Sequence, residues 1–111
     1  MPNQQANAID FYWRPGCGFC MMLDRKLSSA GVAFVKHNIW DNPADAATVR
    51  RHANGNETVP TVVIGSTALV NPSAAKVMAV VADEAPHLLP DGWNSRETGR
   101  AKSAMRRMLR G

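Results

Sequence analysis

Cys17 and Cys20 are the only thiols in the chain, and two residues separate them. At the start of a helix that spacing brings the two sulfurs within bonding distance, so the pair can open and close as a disulfide. Other uses of the pair fit less well. A structural bridge across two residues closes almost no loop and stabilises little through loop entropy. A zinc site normally takes four ligands, and there is no second cysteine pair. His37, His52 and His87 are scattered and lack metal-ligand spacing, so they read as surface or strand-end histidines, and no metal site is expected.

The roles within the pair follow from where a helix would begin. The segment 8–13 is short, apolar and aromatic, and predicts a buried strand. Arg14-Pro15-Gly16 breaks it. Helical spacing begins at Phe19, with Phe19, Leu23, Leu27 and Ala30 in one stripe and Met22 beside it. Cys17 therefore stands where a strand gives way to a helix. A helix N-terminus offers unpaired amides and about half a positive charge. The amides of Gly18, Phe19 and Cys20 should favour an anion at Cys17, and Arg14 can add positive charge. The thiolate is the reactive form, and a free cysteine has a pKa of about 8.5. Cys20 lies one turn in, more buried and less favoured as a thiolate. Cys17 is thus the expected attacker of a disulfide, and Cys20 the expected attacker of the resulting mixed disulfide.

The remaining elements supply the scaffold. Gly31 suits the end of the first helix, and 32–39 predicts a second strand, parallel to the first across a right-handed crossover. Asn42, Pro43 and Asp45 punctuate the start of a second helix that runs to about Ala53. Asn54-Gly55-Asn56 stops it. Two β-rich runs, 61–64 and 68–70, flank Gly65-Ser66-Thr67 and predict an antiparallel hairpin with a three-residue turn. Asn71-Pro72-Ser73 repeats the cap-then-proline pattern and opens a third helix, 73 to about 84. The order β-α-β-α-β-β-α is that of an α/β thioredoxin fold with a four-stranded mixed sheet, over residues 8–84. Pro86, Pro90 and Gly92 mark a linker, 85–93. Asn94 and Glu97 resemble a capping box for an extra amphipathic helix in the C-terminal segment 94–111.

Thr58-Val59-Pro60 precedes the third strand. A turn proline at a strand's first residue needs no function. A cis proline would instead face the cysteines and leave the backbone of Val59 to pair with a bound thiol compound. The residues alone leave both readings open.

Four segments together resemble the mycoredoxin family, glutaredoxin-like proteins of bacteria that use mycothiol. They are Trp13-Arg14-Pro15-Gly16-Cys17-Gly18-Phe19-Cys20, Asn38-Ile39-Trp40, Gly55-Asn56-Glu57-Thr58-Val59-Pro60-Thr61 and Leu69-Val70-Asn71-Pro72-Ser73. The resemblance covers about residues 8–84. It implies a cis Pro60, Cys17 as nucleophile and Cys20 as second cysteine. The implied reaction is reduction of mixed disulfides between proteins and mycothiol. Mycothiol is the implied co-substrate, regenerated by an NADPH-dependent disulfide reductase, with no bound cofactor. The expected contacts to the thiol and its substrates are Arg14, Phe19, Thr58, Val59, Pro60, Asn71, Pro72 and Ser73. Glutathione-using relatives carry Gly-Gly and acidic residues where Asn71-Pro72-Ser73-Ala74 stands, so a glutathione carboxylate site is not reproduced. Met21 and Met22 stand where a basic residue often follows the second cysteine. Gly18-Phe19 replaces the Gly-Pro of thioredoxin. Two other functions are compatible with the motif. One is an iron–sulfur carrier holding a cluster between two subunits, and the other is a thioredoxin-like reductase fed directly by a flavoenzyme.

Composition fits one soluble domain. The chain has 111 residues, 45% hydrophobic and 20% charged. No run approaches the ~20 apolar residues of a membrane span. The first residues carry neither the basic start nor the apolar core of a secretory signal, which predicts a cytoplasmic protein. The net charge of +4 is uneven. Residues 1–93 carry a net −1 and residues 94–111 a net +5, which hints at an acidic partner for the tail. A stripe of Ala101, Ala104, Met105 and Met108 also fits a helix that docks weakly on the domain.

Overall fold

The computed structural model describes residues 8–90. Its elements are β1 (Ile9–Trp13), α1 (Gly18–Ser29), β2 (Phe34–Asn38), α2 (Pro43–His52), β3 (Thr61–Ile64), β4 (Thr67–Val70) and α3 (Ala74–Glu84), followed by a single 3-10 turn, Pro86–Leu88. The sheet order is β2-β1-β3-β4. β1 pairs parallel to β2 and antiparallel to β3, and β3 pairs antiparallel to β4. This is the mixed four-stranded thioredoxin fold that the segment order predicts. The C-terminal helix expected over 94–111, and the end of the linker before it, lie outside the described residues.

Alternation along β1 sorts the core into two layers. Ile9 and Phe11 face one side with Val62 and Ile64 of β3, and meet Cys20, Leu23 and Leu27 of α1 and Val77 and Val81 of α3. Tyr12 faces the other side, with Ile39, and meets Ala46 and Val49 of α2. Each fully buried aliphatic side chain in these layers contributes about 1.5–3 kcal/mol relative to exposure. The one buried polar side chain among the described residues, Thr61, is satisfied locally, its hydroxyl donating to the Thr58 carbonyl at 2.9 Å.

The helix ends agree with their chemistry and correct some details. α1 stops at Ala30, and Gly31 turns the chain with φ +81°. A Cβ added at Gly31 would come within 3.4 Å of the Pro90 ring, so glycine there serves both the turn and a close approach. Asn42 caps α2 as expected, accepting from the Ala44 amide at 2.9 Å. The cap of α3 is Ser73, whose hydroxyl accepts from the Lys76 amide at 3.1 Å, not Asn71. Asn71 adopts a left-handed φ of +53° two residues earlier. The hairpin turn is shorter than expected. Gly65, at φ +60°, allows a two-residue turn, so Thr67 already pairs with Ile64. The hydroxyls of Ser66 and Thr67 bond Glu84, tying this hairpin to the end of α3.

The buried stripe of α1 also differs from the expected one. It is Cys20, Leu23 and Leu27, while Phe19 is 67% exposed and Met22 is 47% exposed. Leu23, Leu27 and Ala30 meet the core as expected, and the stripe differs at its first member, where Cys20 rather than Phe19 turns inward. The second strand is Phe34–Asn38, shorter than the predicted 32–39, since Val32 already packs in the core as the chain leaves Gly31.

Candidate functional site

Cys17 is the N-cap of α1, with extended backbone (φ −98°, ψ 105°). Its Sγ accepts from the Cys20 amide at 3.1 Å. Of the three amides considered from sequence, this one reaches the sulfur. The two cysteines form a disulfide, with Cα atoms 5.2 Å apart, inside the usual range for such bridges. Cys17 is 6% exposed and Cys20 2% exposed. Both are thus buried, Cys20 the deeper, and the difference between them lies mainly in hydrogen bonding. An amide aimed at a sulfur at a positive helix end stabilises a thiolate at that sulfur once the bridge opens. The site can therefore hold one sulfur as a ready nucleophile and keep the second behind it.

The Val59–Pro60 peptide is cis, as the second reading of that segment requires. The carbonyl oxygen of Val59 lies 3.7 Å from Cys17 Sγ. The next carbonyl, that of Pro60, accepts from the Asn71 amide at 2.7 Å. That bond connects the turn before β3 to the loop before α3. Phe19, Asn71, Pro72 and Ser73 line one cavity of about 150 Å³ between the starts of α1 and α3. Met22 and Lys26 line it too, and sequence reasoning did not include them. The signal was available: 19, 22 and 26 share a face at helical spacing, but that face was read as core.

Arg14 leaves the line of the strand. Its guanidinium donates to the Pro15 carbonyl at 3.0 Å and sits 5.7 Å from the centre of the Trp40 ring. Trp40 is 63% exposed. Phe19, Met21 and Met22 in the first turns of α1, and Trp40 beside Arg14, thus leave exposed apolar surface, the kind of surface that meets a partner molecule.

His37 stands apart from the cysteines. His37 bonds Asp10 at 2.9 Å, lies 3.9 Å from Asp45, and stacks on Tyr12. This cluster belongs to the α2 face of the sheet. Burial of Tyr12 raises its phenol pKa above 10.0, and the nearby Asp10 and Asp45 carboxylates raise it further. Among the described residues, no group of three or more His, Cys, Asp or Glu side chains is placed to hold a metal ion. No helix of the described residues is long and apolar enough to cross a membrane.

The glutaredoxin family model matches residues 9–69, more than half of the chain. The chain belongs to the glutaredoxin family. A glutaredoxin domain with a Cys17–Cys20 pair is a thiol–disulfide oxidoreductase. Solved structures share the fold. A mutant form of a thioredoxin-like protein superposes with a TM-score of 0.61 at 20% identity, over 68% of this chain and 96% of that one. The glutaredoxin from Brucella melitensis gives 0.53 at 24% identity, over 89% of this chain and 97% of that one. A mutated buckwheat glutaredoxin gives 0.51 at 21% identity, over 71% and 72%. At these identities the likeness concerns the fold alone. None of the curated proteins compared with the chain matches it.

Proposed function

We propose that this glutaredoxin-family protein reduces mixed disulfides between proteins and mycothiol, with Cys17 as nucleophile and Cys20 as resolving cysteine. The observation that carries the cysteine roles is the hydrogen bond from the Cys20 amide to Cys17 Sγ. In the first step the Cys17 thiolate attacks the mycothiol sulfur of the mixed disulfide. The protein thiol leaves, and Cys17 becomes bonded to mycothiol. In the second step either the Cys20 thiolate attacks Cys17 Sγ, or a second mycothiol attacks the bound one. The first route closes the Cys17–Cys20 bridge and releases mycothiol. The second gives mycothiol disulfide and free Cys17. Electrons return from mycothiol, kept reduced by its NADPH-dependent reductase, and the reaction would run in the cytoplasm.

The choice of mycothiol rests on the four sequence segments and on the loop before α3. The cavity beside Phe19 is bounded by Asn71, Pro72 and Ser73, with no acidic residue among its lining side chains. The α-ammonium of glutathione would find there none of the acidic partners that glutathione-using relatives carry. A neutral, hydroxyl-rich sugar conjugate can use the side-chain amide of Asn71 and the polar helix start instead. In this reading the Val59 backbone, between Thr58 and the cis Pro60, pairs with the cysteine part of mycothiol, and Arg14 and Phe19 meet the outgoing protein substrate.

The test is an NADPH-coupled assay on one mixed-disulfide substrate, run with the mycothiol and glutathione systems in parallel at matched reductase supply. Turnover well above that with glutathione is expected for mycothiol. Equal rates with the two thiols would remove the mycothiol assignment and leave the oxidoreductase one.

A further inference from the structure

A second, smaller cavity of about 50 Å³ lies behind the disulfide, on the side of the β1–β2 pairing. Phe11, Trp13, Cys20, Met21, Asp24 and Lys36 line it. Four of these are apolar or sulfur-bearing neutral groups. The two charged ones form an ion pair, Lys36 Nζ to Asp24 Oδ2 at 2.8 Å. Asp24 stands one turn after Cys20 on α1, so the two share a helix face. Its other oxygen accepts from the Ser28 hydroxyl at 3.1 Å. Lys36 is brought in by the sheet register, which sets it beside Phe11, and its ammonium lies 4.9 Å from the centre of the Trp13 ring. The pair is thus held from two elements and both members are oriented by a third contact.

Both cysteines are buried in the apolar cluster, where burial disfavours a thiolate. At Cys17 the amide of residue 20 offsets that cost, and Cys20 lies deeper without that amide. The residues of β3 and α3 that join the same cluster, Val62, Ile64, Val77 and Val81, carry no charge. Yet in the resolving route Cys20 must give up its proton. The cavity is large enough for a water molecule, and its charged rim is the only ionic surface that the described residues bring to it.

We propose that Asp24 and Lys36 are positioning residues for the resolving step, a balanced charge pair that sets how readily Cys20 ionises through the cavity all three line. The step itself is balanced. The Cys20 proton leaves through the cavity to solvent. The thiolate attacks Cys17 Sγ, the bond from Cys17 to the bound thiol compound breaks, and that compound departs as a thiolate and takes up a proton from solvent. The inference rests on the reading of Cys20 as resolving cysteine, and it does not depend on which thiol compound is bound.

Opposite signs test it. In a Cys17→Ser background Cys20 is the sole thiol, and its ionisation can be followed by thiolate ultraviolet absorbance as pH is raised. Asp24→Asn leaves the ammonium unbalanced and should increase the thiolate-to-thiol ratio about tenfold at a given pH. Lys36→Met keeps the stem against Trp13, leaves the carboxylate unbalanced, and should lower the ratio about tenfold. The double variant should return to within about twofold of the parent, and high salt should shrink both single effects. With Cys17 restored, closure of the bridge from a mixed disulfide at neutral pH should be about threefold faster and about threefold slower, respectively. A tenfold change in thiolate fraction is partly offset by the opposite change in nucleophilicity. A pair that only braces the fold would lower the urea midpoint of both single variants and leave the ionisation of Cys20 as in the parent. Same-direction shifts, or none, in variants that retain native circular dichroism would overturn the proposal. The titration involves no mycothiol, so failure of the mycothiol assay would leave its outcome unaffected.

Discussion

Cys20→Ser leaves Cys17 as the sole thiol of the chain while keeping the residue-20 amide that bonds its sulfur. The reactivity of Cys17 in this variant can be worked from the structure. A hydrogen bond to a charged group contributes about 1.5–3 kcal/mol. The helix end adds about 0.3–1 kcal/mol. Burial opposes both, because Cys17 is only 6% exposed and an anion there loses water. A net of about 1–3 kcal/mol in favour of the thiolate remains, which is about a 5- to 150-fold higher thiolate-to-thiol ratio than in the unfolded chain. A free cysteine is a few per cent thiolate at neutral pH, so the folded protein should hold Cys17 substantially ionised. The assay is the rate of alkylation by iodoacetamide across a pH series, on the folded variant and on the same variant in urea. The midpoint of the folded profile should lie clearly below that of the unfolded one. Coincident midpoints, or a higher one in the folded protein, would refute the helix-start argument and with it the ordering of the two cysteines.

Three further outcomes follow from other parts of the molecule. Tyr12, the only tyrosine, has a folded pKa raised above 10.0, mainly by burial. Its stabilising contribution is therefore full below about pH 10 and lost as pH climbs through the folded value. Urea midpoints should fall more steeply above pH ~10 in the parent than in Tyr12→Phe, and phenolate absorbance should appear late in the folded state. Ser73→Ala removes the cap of α3 and should cost about 1 kcal/mol in urea unfolding; because Ser73 also lines the cavity beside Phe19, the KM for mycothiol should rise while alkylation of Cys17 stays unchanged. Deletion of residues 94–111 should leave native circular dichroism and redox turnover largely intact, since the buried core of the described residues runs from Ile9 to Ala85; a folded but inactive truncation would show that the tail takes part in the reaction.

Much of the fold was legible because local rules agree along the chain. Asn42-Pro43 before α2, the glycines after α1 and α2, and the β-rich runs on either side of Gly65 each state a boundary in their own residue types. The cysteine pair was legible for the same reason, since two residues at a helix start fix the sulfur separation whatever the rest of the chain does. Tertiary structure decided what no local rule carries. The cis state of Val59–Pro60 and the 3.7 Å approach of its carbonyl to Cys17 join positions 42 residues apart. Phe19 is exposed because Cys20, not Phe19, fills the first turn of the stripe that Leu23 and Leu27 continue into the core. Nothing in the sequence singles out Asp24 or Lys36. They share a cavity with Cys20 because a helix turn and a parallel-strand register place them there together, and periodicity within one segment does not register a pairing between two.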